Sequence, residues 1–309
     1  MAMLIESLSI ARKNINDLFF IEAEKLDKEY LDVVGRVKRT TQAFEQYKQL
    51  QPLHPASLTP EGEEAVEDDW LPLFIQNFTP NLYTKMIRYS ELFDFTNQYK
   101  DVIDKQAQFA QAFMNARNIA GANIDNLGFT ATTYGMNNET LYSATHSMGA
   151  GNPTGANLPV VPGTTTPLNL AFGPLALEQA MQELRLQKTP VGTPMMLTGD
   201  VVLKVPIQLE GLATRVVKSR SLQGTNNNDT NQFIKSRVRL HVNDYYTSGT
   251  AWFLRMEKEA FHKLFILEQM PYKCDQLAMD SSLSFKWVCR ESYIFGWQDW
   301  HGTWGTAGR

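Results

Sequence analysis

Residues 96–124 read TNQYKDVIDKQAQFAQAFMNARNIAGANI. Tyr99, Val102, Ile103, Ala110, Phe113, Met114 and Ile124 recur at three- and four-residue spacing, which gathers them on one side of an α-helix. Lys100, Asp104, Gln108 and Gln111 fall on the opposite side. Thr96 or Asn97 can accept the first free backbone N–H groups as an N-cap. At ~1.5 Å per residue the segment forms a rod of roughly 40 Å. A rod this long serves other elements as a backbone.

The chain before this helix does not read as a compact domain. Residues 1–34 carry Leu4, Leu8, Ile15, Leu18, Phe19, Leu26, Tyr30 and Val33 near a 3.6 period, with no Pro or Gly before Gly35. They predict a helical segment that buries only a stripe. A basic, polar stretch, RVKRTTQAFEQYKQ (36–49), leads into QPLHPASLTP (51–60) and then EGEEAVEDD (61–69), which holds six acidic residues in nine. LPLFIQNFTPNLYTKMIRYSELFDF (71–95) resumes with aromatic and β-branched residues. The pattern predicts two extended arms over 36–95 with a Pro-rich, acidic tip. A lone two-stranded ribbon is marginal in water. It is either stabilised by a neighbouring molecule or an ordinary surface hairpin.

Behind the helix, GMNNETLYSATHSMGAGNPTGANLPVVPGTTTPLNLAF (135–172) is dense in turn formers and predicts irregular structure. A second α/β unit follows. Pro174 suits a first helical turn, and Leu177, Ala180, Met181 and Leu184 share a face. TPVGTP (189–194) reads as a turn and VVLKVP (201–206) as a strand. Leu209, Leu212, Ala213, Val216 and Val217 predict another helix, and VRLHV (238–242) another strand. In 251–309, AWFLRM, FHKLFIL and SSLSFKWVC read as strands. In the last of these Leu283, Phe285, Trp287 and Cys289 alternate with polar positions. QDWHGTWGTAGR (298–309) reads as turn-like. Four of the six Trp residues, Trp287, Trp297, Trp300 and Trp304, crowd the last 23 residues, as an interface or as core.

Composition narrows the function. The 309 residues are 43% hydrophobic and 20% charged with net charge -4, which fits a folded chain and disfavours a basic DNA reader. No apolar run approaches the ~18–20 residues of a membrane helix. The start, MAMLIESLSIARKN, lacks the basic and apolar regions of a signal peptide. Cys274 and Cys289 read as small apolar fillers in a reducing compartment. His54, His146, His241, His262 and His301 form no HExxH pattern, and no phosphate loop, dinucleotide motif or GxSxG elbow occurs. The sharpest catalytic pattern is Ser143-Ala-Thr-His146, which lacks a visible orienting group or oxyanion hole. Arg215, Lys218 and Arg220, and Lys235, Arg237 and Arg239, read as solvated faces. No catalytic, cofactor or metal residue is assigned.

Several stretches resemble the major capsid protein of tailed bacteriophages, with the Hong Kong 97-type fold, and in particular its Mu-like major head subunit branch. They are NETLYSATHSMGAGNPTGAN (138–157), QAMQELRLQKTPVGTPMMLTGDVVLKVPIQLEGLATRVVKS (179–219), NDYYTSGTAWFLRM (243–256) and RESYIFGWQDWHGTWG (290–305). The likeness covers most of 90–309 and is weaker before. The chain departs from the pattern at Thr189 and Pro190, at Lys204, and at His301 in place of the usual Arg.

The resemblance implies an α+β capsid fold. Residues 1–35 would form an N-terminal arm, 36–95 an extended E-loop, 96–149 a peripheral domain with a spine helix, 150–250 an axial domain and 251–309 the closing peripheral strands. It implies a non-enzymatic subunit that self-assembles into hexamers and pentamers of an icosahedral shell around double-stranded DNA, which it touches weakly. Portal, scaffolding and decoration proteins would be its partners, assembly would take place in the host bacterial cytoplasm, and its place would be the virion. The expected contacts between subunits are the acidic tip, Glu61, Glu63, Glu64, Glu67, Asp68, Asp69 and Trp70, against a basic set, Arg36, Lys38 and Arg39. The rivals are an encapsulin-like compartment shell and a soluble hydrolase using Ser143 or His146.

Overall fold

The computed structural model describes residues 24, 26–68, 72–90, 99–149, 152, 154–219, 233, 238–277 and 284–309. Most of the helix expected over 1–34, the Thr96 or Asn97 cap, and Asp69 and Trp70 lie outside them. The end of the first expected helix is described: α1 spans Glu29–Val34 and stops at Gly35, whose φ of 70° is left-handed. The left-handed backbone there favours glycine, and a Cβ would in addition crowd the Arg255 guanidinium.

The long helix, α2, runs Tyr99–Asn126. Ala110, Phe113, Met114 and Ile124 are buried as their spacing predicts, and Gln108 and Gln111 are exposed. It lies against a four-stranded sheet made of β1 (Val37–Arg39), β4 (Asn81–Ser90), β8 (Leu264–Leu277) and β9 (Ser284–Trp297), in the order β1-β8-β9-β4. Only β1 and β8 pair in parallel. The apolar residues of α1, α2, β8 and β9 meet in one core.

A second sheet holds β5 (Val201–Pro206), β6 (Val238–Asn243), β7 (Trp252–Met256) and β10 (Thr303–Thr306), in the order β10-β7-β5-β6. Two helices cover one face: α3, Pro174–Arg185, with Pro174 in its first turn, and α4, Glu210–Lys218. Val201, Leu203 and Val205 point into this core with Leu177, Leu184, Ala213 and Trp252. Lys204, Phe253 and Arg255 point to the other face, where Lys204 meets Asp125 on α2 and Arg255 donates to the Asp32 carbonyl on α1. That second burial explains why VVLKVP is buried at every position.

The structure corrects four expectations and decides a fifth that was open. First, residues 251–309 do not all return to the first sheet, since β7 and β10 pair in the second. Trp252, Leu254, Met256 and Trp304 prefer the core beneath α3 and α4. Second, the tail is not only turns, because Thr303–Thr306 is a fully buried strand. Third, of the two readings left open for the tryptophans near the end, interface or core, the core one applies: Trp287, Trp297, Trp300 and Trp304 are all buried within the chain. Fourth, Cys274 and Cys289 face each other across β8 and β9 and form a disulfide. Fifth, the ribbon expected over 36–95 is shorter at both ends. Val37–Arg39 pairs with β8 and Asn81–Ser90 with β9. The freestanding part is the pair β2 (Glu45–Leu50) and β3 (Pro72–Phe78).

Candidate assembly interface

The β2–β3 hairpin is a two-stranded sheet of its own. Its root is apolar. Phe78 is buried and sits edge-on to Phe265, 5.1 Å between centroids, with Tyr47 5.3 Å from the same ring. Gly296 leaves room for Phe78, whose Cε1 lies 2.6 Å from where a Cβ would stand. One face of the strands stays on the body beyond the root, where Phe74 packs against the first core and Leu73 lies beside Gly149, while the other face and the loop beyond are exposed. β2 alternates between half-buried and exposed positions, and Leu50, Leu53, Leu58, Val66 and Ile75 are all exposed. Six paired residues at ~3.3 Å each give strands roughly 20 Å long, and the exposed loop lies beyond them.

The expected contact residues separate into three groups. Glu61, Glu63, Glu64 and Glu67 are exposed at the tip. Asp68 is engaged within the tip, accepting hydrogen bonds from the His54 backbone N–H at 2.6 Å and pairing with its Nδ1 at 2.8 Å. The basic set sits at the opposite end, beside the root. Arg39 pairs with Glu268 at 3.6 Å and remains 85% exposed at its side chain. Arg36 pairs with Glu259 at 3.8 Å. Lys38 does not present a charge outward: its Nζ lies 3.9 Å from the Tyr47 ring centre and 4.6 Å from that of Phe265. Burial, with Arg36 and Lys263 nearby, lowers it to about 8. Within one chain the acidic tip and the basic root do not meet. A cleft of about 500 Å³, lined by Arg39, Gln42, Glu45, Glu268 and Gln269, opens at the root.

The charged groups that hold this frame were not singled out by sequence. Arg117 on α2 reaches Glu268 on β8 and Glu291 on β9, both at 2.8 Å. Burial raises the Glu291 carboxyl above its usual value, with Arg117 opposing. Glu268 is thus shared between Arg117 and exposed Arg39. No motif announces this clamp, because Arg117 lies more than 150 residues from either glutamate in the chain.

The catalytic pattern dissolves. His146 is wholly buried, and its two ring nitrogens are 3.0 Å from Glu139 Oε2 and from Asn157 Oδ1. Ser143 Oγ instead accepts from the Thr145 N–H. No nucleophile–base contact forms. Among the described residues no helix is long and apolar enough to cross a membrane.

A model of a family described as phage capsid protein matches residues 82–304. No curated protein matches the chain. Among solved structures the chain is similar to the capsid of an empty GTA particle, at 9% identity over 91% of this chain and 90% of that one, with a TM-score of 0.56. It is similar to the mature capsid of bacteriophage PhiM1, at 12% identity over 89% and 86%, with a TM-score of 0.54. The virus-like particle from Pyrococcus furiosus is similar at 9% identity over 96% and 99%, with a TM-score of 0.51. At these identities the likeness is one of fold.

Proposed function

The chain belongs to the phage capsid protein family, and on that premise we propose that its β2–β3 hairpin is completed by a neighbouring copy during shell assembly. The protein is a structural capsid subunit with the Hong Kong 97-type fold, and it associates with copies of itself into an icosahedral phage shell.

The observation that carries the proposal is the split between the two ends of the hairpin. Its root is packed on Phe265, while Leu53, Leu58 and Val66 in the loop are largely exposed and Ile75 is half exposed. The acidic tip carries four exposed glutamates. The root carries exposed Arg39 beside a cleft. We read the tip of one copy as docking near Arg39 and Arg36 of the next, with the apolar residues supplying area and the charges supplying register. Lys38 is not part of that pairing.

Each such contact is modest, and a closed shell sums many of them. We read the assembly units as hexamers and pentamers, residues 36–95 as the E-loop region, and α2 as the spine of a peripheral domain that also takes β8 and β9. The axial unit would then comprise α3, α4 and the second sheet. Portal, scaffolding and decoration proteins belong to this reading as partners, and the net charge of -4 fits only weak contact with packaged DNA. We read the protein as catalysing nothing and as assembling in the bacterial cytoplasm. A search by negative-stain microscopy of the expressed, purified chain tests it. Closed shells are expected. A monodisperse particle of one chain, at every concentration and salt tried, would overturn it.

A further inference from the structure

β8 is not one continuous ladder. Its register on β9 shifts between Glu268 and Met270 and again between Met270 and Lys273, where Pro271 and Tyr272 stand opposite the single residue Glu291. Each shift is a β-bulge, and Pro271 has no N–H to give to the ladder. The outer part of β8, residues 273–277, is therefore a short strand of its own, paired with residues 286–290. Among the described residues it is held from one side only, because β1 pairs with β8 no further than Glu268. β9 has β4 on its other flank throughout this stretch.

The two faces of this outer part differ. Towards solvent, Asp275 pairs with Lys273 at 3.4 Å and with Arg290 at 2.7 Å, and all three side chains are more than a third exposed. Such pairs add little. Towards α2, Tyr272, Cys274 and Cys289 join Phe109, Ala110 and Phe113 in a third, small core, with the Phe113 and Tyr272 rings edge to face at 5.1 Å. The Cys274–Cys289 disulfide lies in this core, and these are the only two cysteines of the chain.

Folding does not need the bond. The ladder sets Cys274 opposite Cys289, and α2 supplies the apolar wall, so two thiols fit the same places as small apolar side chains. A chain made in a reducing cytoplasm carries thiols. Both sulfurs are enclosed, with Cys274 at 5% and Cys289 at 0% exposure. A reagent reaches them only when the outer part of β8 opens. Cys274 is on the strand that opens, whereas Cys289 stays between β8 and β4.

We propose that Cys274 and Cys289 are thiols while the shell assembles and close into the disulfide after the particle leaves the cell, which locks the outer part of β8 to the sheet. This timing rests on the proposed assembly in the bacterial cytoplasm. The oxidant is a small-molecule disulfide such as oxidised glutathione. On opening, the Cys274 thiolate attacks one of its sulfurs and releases one small thiol. The Cys289 thiolate then attacks the Cys274 sulfur and releases the second. Two protons and two electrons leave the protein with the two released thiols.

Thiol counting tests this. Cells making the protein are quenched in acid, then denatured and labelled with a maleimide, and the labels per chain are read by mass spectrometry. Both cysteines should be labelled in chains from the cell, and neither in purified shells treated with oxidised glutathione. Oxidised shells should melt on the order of 5 °C above shells held in dithiothreitol. Cys274→Ala with Cys289→Ala should melt at one temperature with and without the reductant. The single variants read the order of attack: Cys289→Ala should gain glutathione at Cys274 severalfold faster than Cys274→Ala gains it at Cys289, and equal rates would overturn that order. A disulfide already closed in chains from the cell would overturn the proposal. So would shells that stay reduced in oxidised glutathione, shells that melt alike in both states, or a reductant effect that survives in the double variant. A chain that forms no shells contradicts the capsid reading instead, and its thiol counts still decide whether the bond closes outside the cell.

Discussion

Lys204 Nζ lies 2.6 Å from Asp125 Oδ2, with both side chains wholly buried. Lys204 sits at the centre of the second sheet and Asp125 in the last turn of α2, so this pair joins the two halves of the molecule. The Tyr142 hydroxyl donates to Asp125 Oδ1 at 2.6 Å, and the Tyr246 hydroxyl also donates to this carboxylate. Burial pulls the Lys204 ammonium below its usual value, and Asp125 opposes that pull. The pair fixes how the second sheet meets the helix, and its stability value depends on both partners being present.

Removing one partner should be costly. Lys204→Met leaves a buried carboxylate with only two hydroxyl donors and should lose about 3–5 kcal/mol. The double variant Asp125→Asn with Lys204→Met should recover much of that loss. Urea unfolding of the unassembled chain measures both. Equal losses in the single and double variants would contradict the reading.

The Arg117 clamp predicts a pH signature. Arg117→Met strands Glu291, whose carboxyl burial already holds above its ordinary value of 4.5. The variant should lose about 3–5 kcal/mol near neutral pH. A raised folded-state carboxyl favours the fold below its unfolded value and penalises it as pH rises through the folded one. The deficit of the variant should therefore shrink as pH falls from neutral towards 4.5. Denaturant midpoints at two pH values read it.

Acid should weaken the wild-type fold through His262. Burial, then Arg255, lower this ring from 6.5 to about 3. Between those values the unfolded chain takes up a proton that the folded chain refuses. Stability then falls as pH drops, by up to about 1.4 kcal/mol per unit. His241, lowered to about 4 chiefly by burial, adds to the slope, with Asp32 opposing. His262→Gln, which can still accept from Arg255, should flatten the profile below 6.5.

Neutralising the tip should alter assembly and leave the fold alone. Glu61, Glu63, Glu64 and Glu67 are exposed, so changing all four to Gln should move the unfolding midpoint little. The dependence of assembly on salt, followed by light scattering, should weaken, because screening acts on the charges removed. An unchanged salt response would count against docking through the tip.

Much of the fold was legible because its signals are local. The apolar spacing of 96–124 predicts α2, Pro174 marks the start of α3, and VVLKVP and VRLHV predict β5 and β6. Turn formers and acidic residues mark the hairpin tip. What escaped is set by partners distant in the chain. Thr303–Thr306 becomes a strand because β7 stands beside it. Cys274 and Cys289 pair because β8 and β9 align them. Lys204 breaks an apolar run with no hint in its neighbours that Asp125 waits 79 residues away. The expected contact set was legible as charge, but Lys38 turned inward onto Tyr47 and Asp68 onto His54.

Shortening the hairpin isolates what the exposed end does. A chain in which residues 51–71 are replaced by a two-residue turn keeps the Phe78–Phe265 root and both cores. Its unfolding midpoint should match that of the full chain, while electron microscopy should find no closed shells. Shells forming at the yield of the full chain would contradict the account.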